Sequence, residues 1–192
     1  MEKKFILTDK FVINSFGIKL FQIKCTKSFK YAQKGDFGGY VEKEGNLDQK
    51  NDAWVSGNAW VSGNARVFGN ARVSGDARVS GDARVFGNAR VSGDARVSGD
   101  ARVFGNARVS GDADIENDNE HCGFDGFGSC NRHTHAYMTK EKKVEIICGC
   151  FRGSIEEFEN KVEETHSGTV YEKQYKSIIN VIKIKFGLTD FT

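Results

Sequence analysis

Proline is missing altogether from this sequence, and no run of apolar residues comes near the roughly 18 that a membrane-spanning helix needs. Without proline the chain must turn its corners some other way, and 22 glycines are present to do it. Histidine is absent before His121, so the commonest general base is withheld from the first two thirds of the chain. Cysteine is scarce and odd in number (Cys25, Cys122, Cys130, Cys148, Cys150), which speaks against a disulfide framework and for reduced thiols. Charge of one sign is lacking too: 28 basic residues stand against 26 acidic ones, for a net +2. That balance excludes bulk electrostatics as a route to nucleic acid or to a membrane surface. Met1 to Lys10 has no apolar core of the kind a secretion signal carries, so the expected location is the cytoplasm.

What the sequence does contain is a repeat. From Gly57 it reads GNAWVS, GNARVF, GNARVS, GDARVS, GDARVF and onward to GDADIE, a unit of six residues with alanine and valine two apart. In an extended segment those two point to the same side, and the arginine between them and the Ser or Phe after them point to the other. The Gly-Asn or Gly-Asp pair tolerates positive φ and lets the chain turn after each short strand. Phenylalanine replaces serine only at Phe68, Phe86 and Phe104, 18 residues apart, so one coil is three hexapeptides.

Stacked coils would place equivalent positions about 4.8 Å apart, in columns along the axis. The inner columns read Val55, Val73, Val91, Val109; Val61, Val79, Val97, Ile115; and Val67, Val85, Val103. Carrying the same step backward puts Leu47 on an alanine column and Gln49 on a valine column, a degenerate first coil. The fold expected is mainly β: a left-handed parallel β-helix of about four coils over residues 45–115. An N-terminal β capping segment over 1–44 precedes it, and a small α+β module over 116–192 follows.

In the capping segment, Ile18, Leu20 and Phe21 to Cys25 read as strands after a turn at Asn14 to Gly17. In the tail, Thr134 to Thr139 and Val144 to Cys150 read as a hairpin around Lys140 to Lys143. Ser154 with Glu157 is a capping box that opens a helix with Ile155, Phe158 and Val162 on one stripe. A second helix is expected from about Tyr171 to Phe186, with Gly187 in the C-terminal capping place. A module of this size is marginal alone and is expected to lean on the solenoid.

With the repeats, GDFGGYVEKEGNL (Gly35 to Leu47) and CGCFRGSIEEFENKVEETH (Cys148 to His166) in view, the chain resembles hexapeptide-repeat left-handed β-helix proteins of the phage and prophage type. Its more distant likeness is to hexapeptide acyltransferases. The resemblance implies a host bacterial cytoplasm and a homo-oligomer, dimer or trimer, but carries no settled activity.

Three constellations bear on function. Phe68, Phe86 and Phe104 form an apolar stripe, with Arg66, Arg84 and Arg102 beside it; contiguous apolar surface of that kind marks an interface. Its cover is the tail module, a second copy or a foreign protein. All eight basic residues between Ala53 and Ile115 are arginine, but six aspartates lie in the same stretch, so the ladder is expected to be largely neutralised by its neighbours. His121, Cys122, Cys130, His133, His135, Cys148 and Cys150 are zinc-type ligands at poor spacing, with Cys148 and Cys150 expected on one side of a strand, so no metal or other cofactor is expected. The reading that follows is a non-enzymatic, oligomeric binding or scaffold protein with no assigned catalytic residue, one that could block a host protein, including a defence protein. A hexapeptide-repeat acyltransferase using His133 or His135 and a nucleic-acid binder using the arginine ladders are the alternatives.

Overall fold

A computed structural model describes residues 2–189 and divides the chain into two compact units, the first ending at Asn117 and the second beginning at Asp118. The first unit is a parallel β-solenoid of about four turns. Three strands open it: β1 (Phe5–Ile13), β2 (Lys19–Cys25) and β3 (Phe37–Val41). Strands β4 to β14, two residues each, follow from Trp54–Val55 to Asp114–Ile115.

The six-residue rhythm dictates these two-residue strands. Each glycine of the repeat has positive φ, +66° at Gly81 for example, where a Cβ would also come within 2.9 Å of the Gly99 carbonyl of the next coil. The intervening residues then pair in parallel with their equivalents one coil on, Arg66 with Arg84 and Val67 with Val85. The amide of Arg66 donates to Ala83 O at 2.9 Å, and that of Phe68 to Val85 O at 3.0 Å. The inner alanines and valines are closed to solvent, Ala77, Val79, Val85 and Val97 at 0 % exposure among them. Three sheets result: one through Trp54, Arg72, Arg90 and Arg108, one through Arg66, Arg84 and Arg102, and one through Trp60, Arg78, Arg96 and Asp114 that β3, β2 and β1 extend.

The first coil departs from the backward extrapolation. Val41 pairs with Val61 and Leu47 with Val67, so Leu47 stands on the valine column and the partners are 20 apart instead of 18. Gln49 is not in that column. Eight positions separate Leu47 from Val55 where the regular step is six, and the extra chain frees the Gln49 side chain to act like a strand: its Oε1 accepts from Lys4 N at 2.8 Å and Phe5 N at 3.2 Å, and its Nε2 donates to Phe5 O. The Lys4 ammonium, buried at 5 % exposure, donates to the carbonyls of Asn51 and Ala53. Gly39 takes the place of the column's alanine because a Cβ there would lie 2.4 Å from Ala59 O.

Strand β1 is the outer edge of its sheet, and its pairing with β2 slips between Leu7 and Phe11, leaving residues 8–10 bulged. A bulge carrying Lys10, together with Lys19 over the Phe11 ring at 3.9 Å, blunts an otherwise apolar edge.

The second unit is an antiparallel sheet, β15 (His121–Phe127), β16 (Arg132–Met138), β17 (Val144–Cys148) and β18 (Phe151–Ser154), with α1 (Ile155–His166) and α2 (Val170–Lys185) on one face. The expected hairpin is thus the middle of a four-stranded sheet. The segment 144–150 is not one strand: Gly149, at φ +63°, turns the chain after Cys148. Ala136, Ile146 and Cys148 pack on Phe158, Val162, Tyr175 and Ile179. Ser154 Oγ accepts from Glu157 N at 3.1 Å while the Glu157 carboxylate accepts from Ser154 N at 2.7 Å, the expected capping box. Past α2, Leu188 N donates to Lys183 O and Gly187 N to Ile184 O with Gly187 at φ +66°, which is a Schellman ending. No helix among the described residues is long and apolar enough to cross a membrane.

Candidate functional site

The residue after each inner valine must point outward, because side chains alternate along a strand. At three places in the same sheet that residue is phenylalanine, and the rings of Phe68, Phe86 and Phe104 form a stack. Centroids of the first pair are 4.9 Å apart at 3° between planes, and those of the second 5.4 Å apart at 14°. Backbone pairing at strand spacing imposes this near-parallel arrangement; free aromatic pairs prefer offset or edge-on contacts. Phe104 remains 53 % exposed. The facing sides of neighbouring rings cover each other, so between the two end faces the column shows solvent a ribbon of ring edges.

Two polar columns border the ribbon. On the strand side lie Arg66, Arg84 and Arg102, with the Arg66 guanidinium 5.8 Å from the Phe68 ring centre. At the corner Asn70 Nδ2 donates to Asn88 Oδ1 at 3.3 Å and Asn88 Nδ2 to Asn106 Oδ1 at 3.4 Å, an amide ladder that carries no charge. All six residues singled out from the sequence therefore lie on one surface.

The other two corners differ. Asn58 Nδ2 donates to Asp76 Oδ1 at 3.0 Å and Asn64 Nδ2 to Asp82 Oδ1 at 3.2 Å, so amides and carboxylates stack there. Six of the eight arginines depart from the expected pairing with neighbouring aspartate: among the described residues Arg66, Arg72, Arg78, Arg84, Arg90 and Arg96 form no ion pair within 4.0 Å. The reason is columnar. Arginines project from the strands and, Asp114 apart, the aspartates project from the corners, so an arginine's neighbour one coil away in its own column is mostly another arginine. Some guanidiniums lie over aromatic rings, Arg72 over Tyr31 at 4.7 Å and Arg78 over Trp60 at 5.9 Å.

In the second unit, strand alternation sorts the zinc-type residues onto opposite faces. His121, His133 and His135 share one face, with His121 Nδ1 3.2 Å from His135 Nε2 and His133 Nδ1 2.8 Å from Asp125 Oδ1. Cys122 and Cys148 lie on the helix-covered face, and burial pushes the Cys122 thiol up to about 11. Cys148 accepts from Thr134 Oγ1 at 3.3 Å and donates to Tyr175 Oη, whose own ionisation burial first, and then Cys148, push up to about 12. Cys130 and Cys150 are exposed. Among the described residues no three His, Cys, Asp or Glu side chains are placed to hold a metal ion. Acyl transfer through His133 would need its Nε2, yet that nitrogen lies against Gly123, 2.9 Å from where a Cβ would be.

Strand β15 and its role escape the sequence pattern, since its two inner glycines and Asp125 are poor strand formers. Gly123 is glycine because the His133 ring would meet a Cβ at 2.7 Å.

The regular coils are similar to a known repeat family: segments 59–75, 65–81, 71–85, 77–93, 83–99, 89–103 and 101–113 match the YdcK beta-solenoid repeat. Curated proteins compared over the whole sequence give no match.

Proposed function

We propose that this protein is a non-enzymatic binding scaffold whose solenoid presents the Phe68–Phe86–Phe104 ribbon, with Arg66, Arg84 and Arg102, to another protein. The observation that carries the reading is the stack itself: rings 4.9 and 5.4 Å apart, bordered by an uncharged amide ladder at the one corner without aspartate. Both faces of Phe86 and the inner faces of Phe68 and Phe104 are used by the stack, so the ribbon suits a flat protein surface better than unstacked bases. A row of guanidiniums alongside calls for a partner with carboxylates next to its apolar patch. The partner is either a second copy, giving a dimer or trimer, or a host protein that the scaffold blocks. The left-handed sense of the coil, a phage or prophage origin and action in a host bacterial cytoplasm belong to the same reading and are supported by the resemblance of the repeats and of the segments Gly35–Leu47 and Cys148–His166; the N-terminal strands as a cap are supported by the need to cover the open edges at a solenoid end.

The test is capture from nuclease-treated bacterial lysate by the tagged chain and by its Phe68→Asp/Phe86→Asp/Phe104→Asp variant, with the mass of each measured by light scattering. Loss of a stoichiometric partner, or of the oligomer, from a variant that keeps its strand circular dichroism supports the ribbon. An unchanged partner and an unchanged mass overturn it.

One observation favours a second reading. Six stacked arginines, Arg66, Arg72, Arg78, Arg84, Arg90 and Arg96, that form no ion pair within 4.0 Å among the described residues would suit a polyanion, and nucleic-acid binding through them predicts an affinity that falls steeply with salt. Affinity retained at high salt removes that reading.

A further inference from the structure

The sheet that carries Trp60 bears a groove on its outer face. The outward residues along it run Tyr40, Trp60, Arg78, Arg96 and Asp114, each paired with the next across neighbouring strands. The turn between β1 and β2 comes over this face, and Phe16 and Ser15 close one side of a groove of about 310 Å³ whose floor is Trp60, Arg78 and Arg96. The turn is a built structure. Asn14 Oδ1 accepts from Phe16 N at 2.9 Å and from Ile18 N at 3.0 Å, and Gly17 takes φ +76° to complete it.

Inside the groove two guanidiniums of like charge stand side by side at strand spacing, neither in an ion pair within 4.0 Å among the described residues. Ser80 and Ser98 add hydroxyl donors beside them. The Trp60 ring, with Arg78 5.9 Å above it, and the Phe16 ring, 79 % exposed, supply flat apolar surface at one end. At the other end Asp114, opposite Arg96, and Glu116 put two carboxylates on the lining, which limits the groove to one anionic group.

We propose that this groove binds a small phosphate ester that carries an aromatic ring, the phosphate bridging Arg78 and Arg96 and the ring lying between Trp60 and Phe16. Two forked donors at strand spacing match the several oxygens of a phosphate, which relieves the repulsion between the two arginines. The aromatic end gives the ester an advantage over the bare ion. This site is on a different sheet from the phenylalanine ribbon and stands or falls independently of it.

Phenyl phosphate and inorganic phosphate are the probes. Trp60 is one of only two tryptophans, and the other, Trp54, is 4 % exposed, so in a Trp54→Phe background the indole fluorescence reports on the groove alone. Phenyl phosphate is expected to quench it saturably, with a midpoint roughly tenfold below that of inorganic phosphate. The midpoint is expected to rise at least about tenfold in Arg78→Gln/Arg96→Gln and to stay put in Arg90→Gln on another sheet. Titration calorimetry of the unsubstituted chain makes the same comparison of probes should Trp54→Phe disturb the fold. Equal midpoints for the two probes, an unmoved midpoint in Arg78→Gln/Arg96→Gln, or no heat and no quenching into the millimolar range each overturn the proposal.

Discussion

The two units of this chain are held together by opposite kinds of information. In the regular coils of the solenoid, β4 to β14, every strand is two residues long, every pairing joins positions 18 apart, and alanine and valine line the interior as far as Ile115. In the second unit the strands are longer, neighbours in sequence are neighbours in the sheet, and the core is a set of unlike residues, Phe158, Tyr175, Ile178 and Ile182 among them. Repetition makes the solenoid stable as a sum of similar interfaces and gives each coil the same face. What carries meaning there is departure from the repeat: phenylalanine for serine at Phe68, Phe86 and Phe104, tryptophan for arginine at Trp60, aspartate for arginine at Asp114. In the second unit nothing repeats, so a residue's part is set by its own contacts, such as the Ser154–Glu157 box.

The sharpest way to break the contrast is a charge in the middle of a valine column. Val79 is at 0 % exposure between Val61 and Val97, and an aspartate there has no partner for its charge. Val79→Asp is expected to cost at least roughly 4 kcal/mol and to abolish the strand signal of the solenoid. The helical signal of α1 and α2 is expected to survive, as read by circular dichroism during urea titration; simultaneous loss of both signals would mean that the units do not have separate cores.

A smaller effect belongs to the second unit. Ser154→Ala removes one half of the capping box that starts α1 and is expected to destabilise that unit by about 1 kcal/mol, with the solenoid transition unmoved. The measurement is the urea midpoint of the helical signal. Conversely, a shift confined to the strand signal would contradict the assignment.

The smallest effect is a pH dependence at the irregular first coil. Burial, outweighing the pull of Asp48 and Asp52, pushes the Lys4 ammonium down to about 8 from an ordinary 10.5. A lysine with a folded value below its unfolded one penalises the folded state while it is charged. The penalty is therefore complete below pH 8 and is relieved as the pH rises toward 10.5. The native chain is expected to gain stability relative to Lys4→Met across that window, superimposed on a constant loss in the variant from the missing bonds to Asn51 and Ala53. A difference that does not change with pH would contradict it.

How much of this was legible in the sequence follows the same division. The inner columns, the coil of 18 residues and the aromatic stripe follow from period alone, because the six-residue unit sets the strands and the 18-residue recurrence of Phe68, Phe86 and Phe104 says which valines align. The start of the solenoid was misread for the same reason: period cannot announce the two extra residues between Leu47 and Val55, and the step back to Gln49 missed them. The pairing of charges is not legible either, since composition shows a near balance of arginine and aspartate but not that the arginines stand on the strands and all the aspartates but Asp114 at the corners. In the tail, caps and an apolar stripe revealed both helices. Strand β15 was hidden because Gly123 answers to the His133 ring, a contact across strands that no local pattern records. The roofed groove was hidden too, for it joins Phe16 to Trp60 and Arg96 through a turn whose direction is not written in its residues.

The most direct test of the ribbon replaces each phenylalanine by the serine that the repeat itself uses at the equivalent places. Phe68→Ser/Phe86→Ser/Phe104→Ser respects the backbone of every coil and removes two ring stacks contributing about 0.5–1.5 kcal/mol each. Sedimentation equilibrium of this variant, beside capture from lysate, is the measurement. A folded solenoid that has lost its association, with itself or with a captured protein, is the predicted result; a folded solenoid that associates as before would show that the ribbon is not the binding surface.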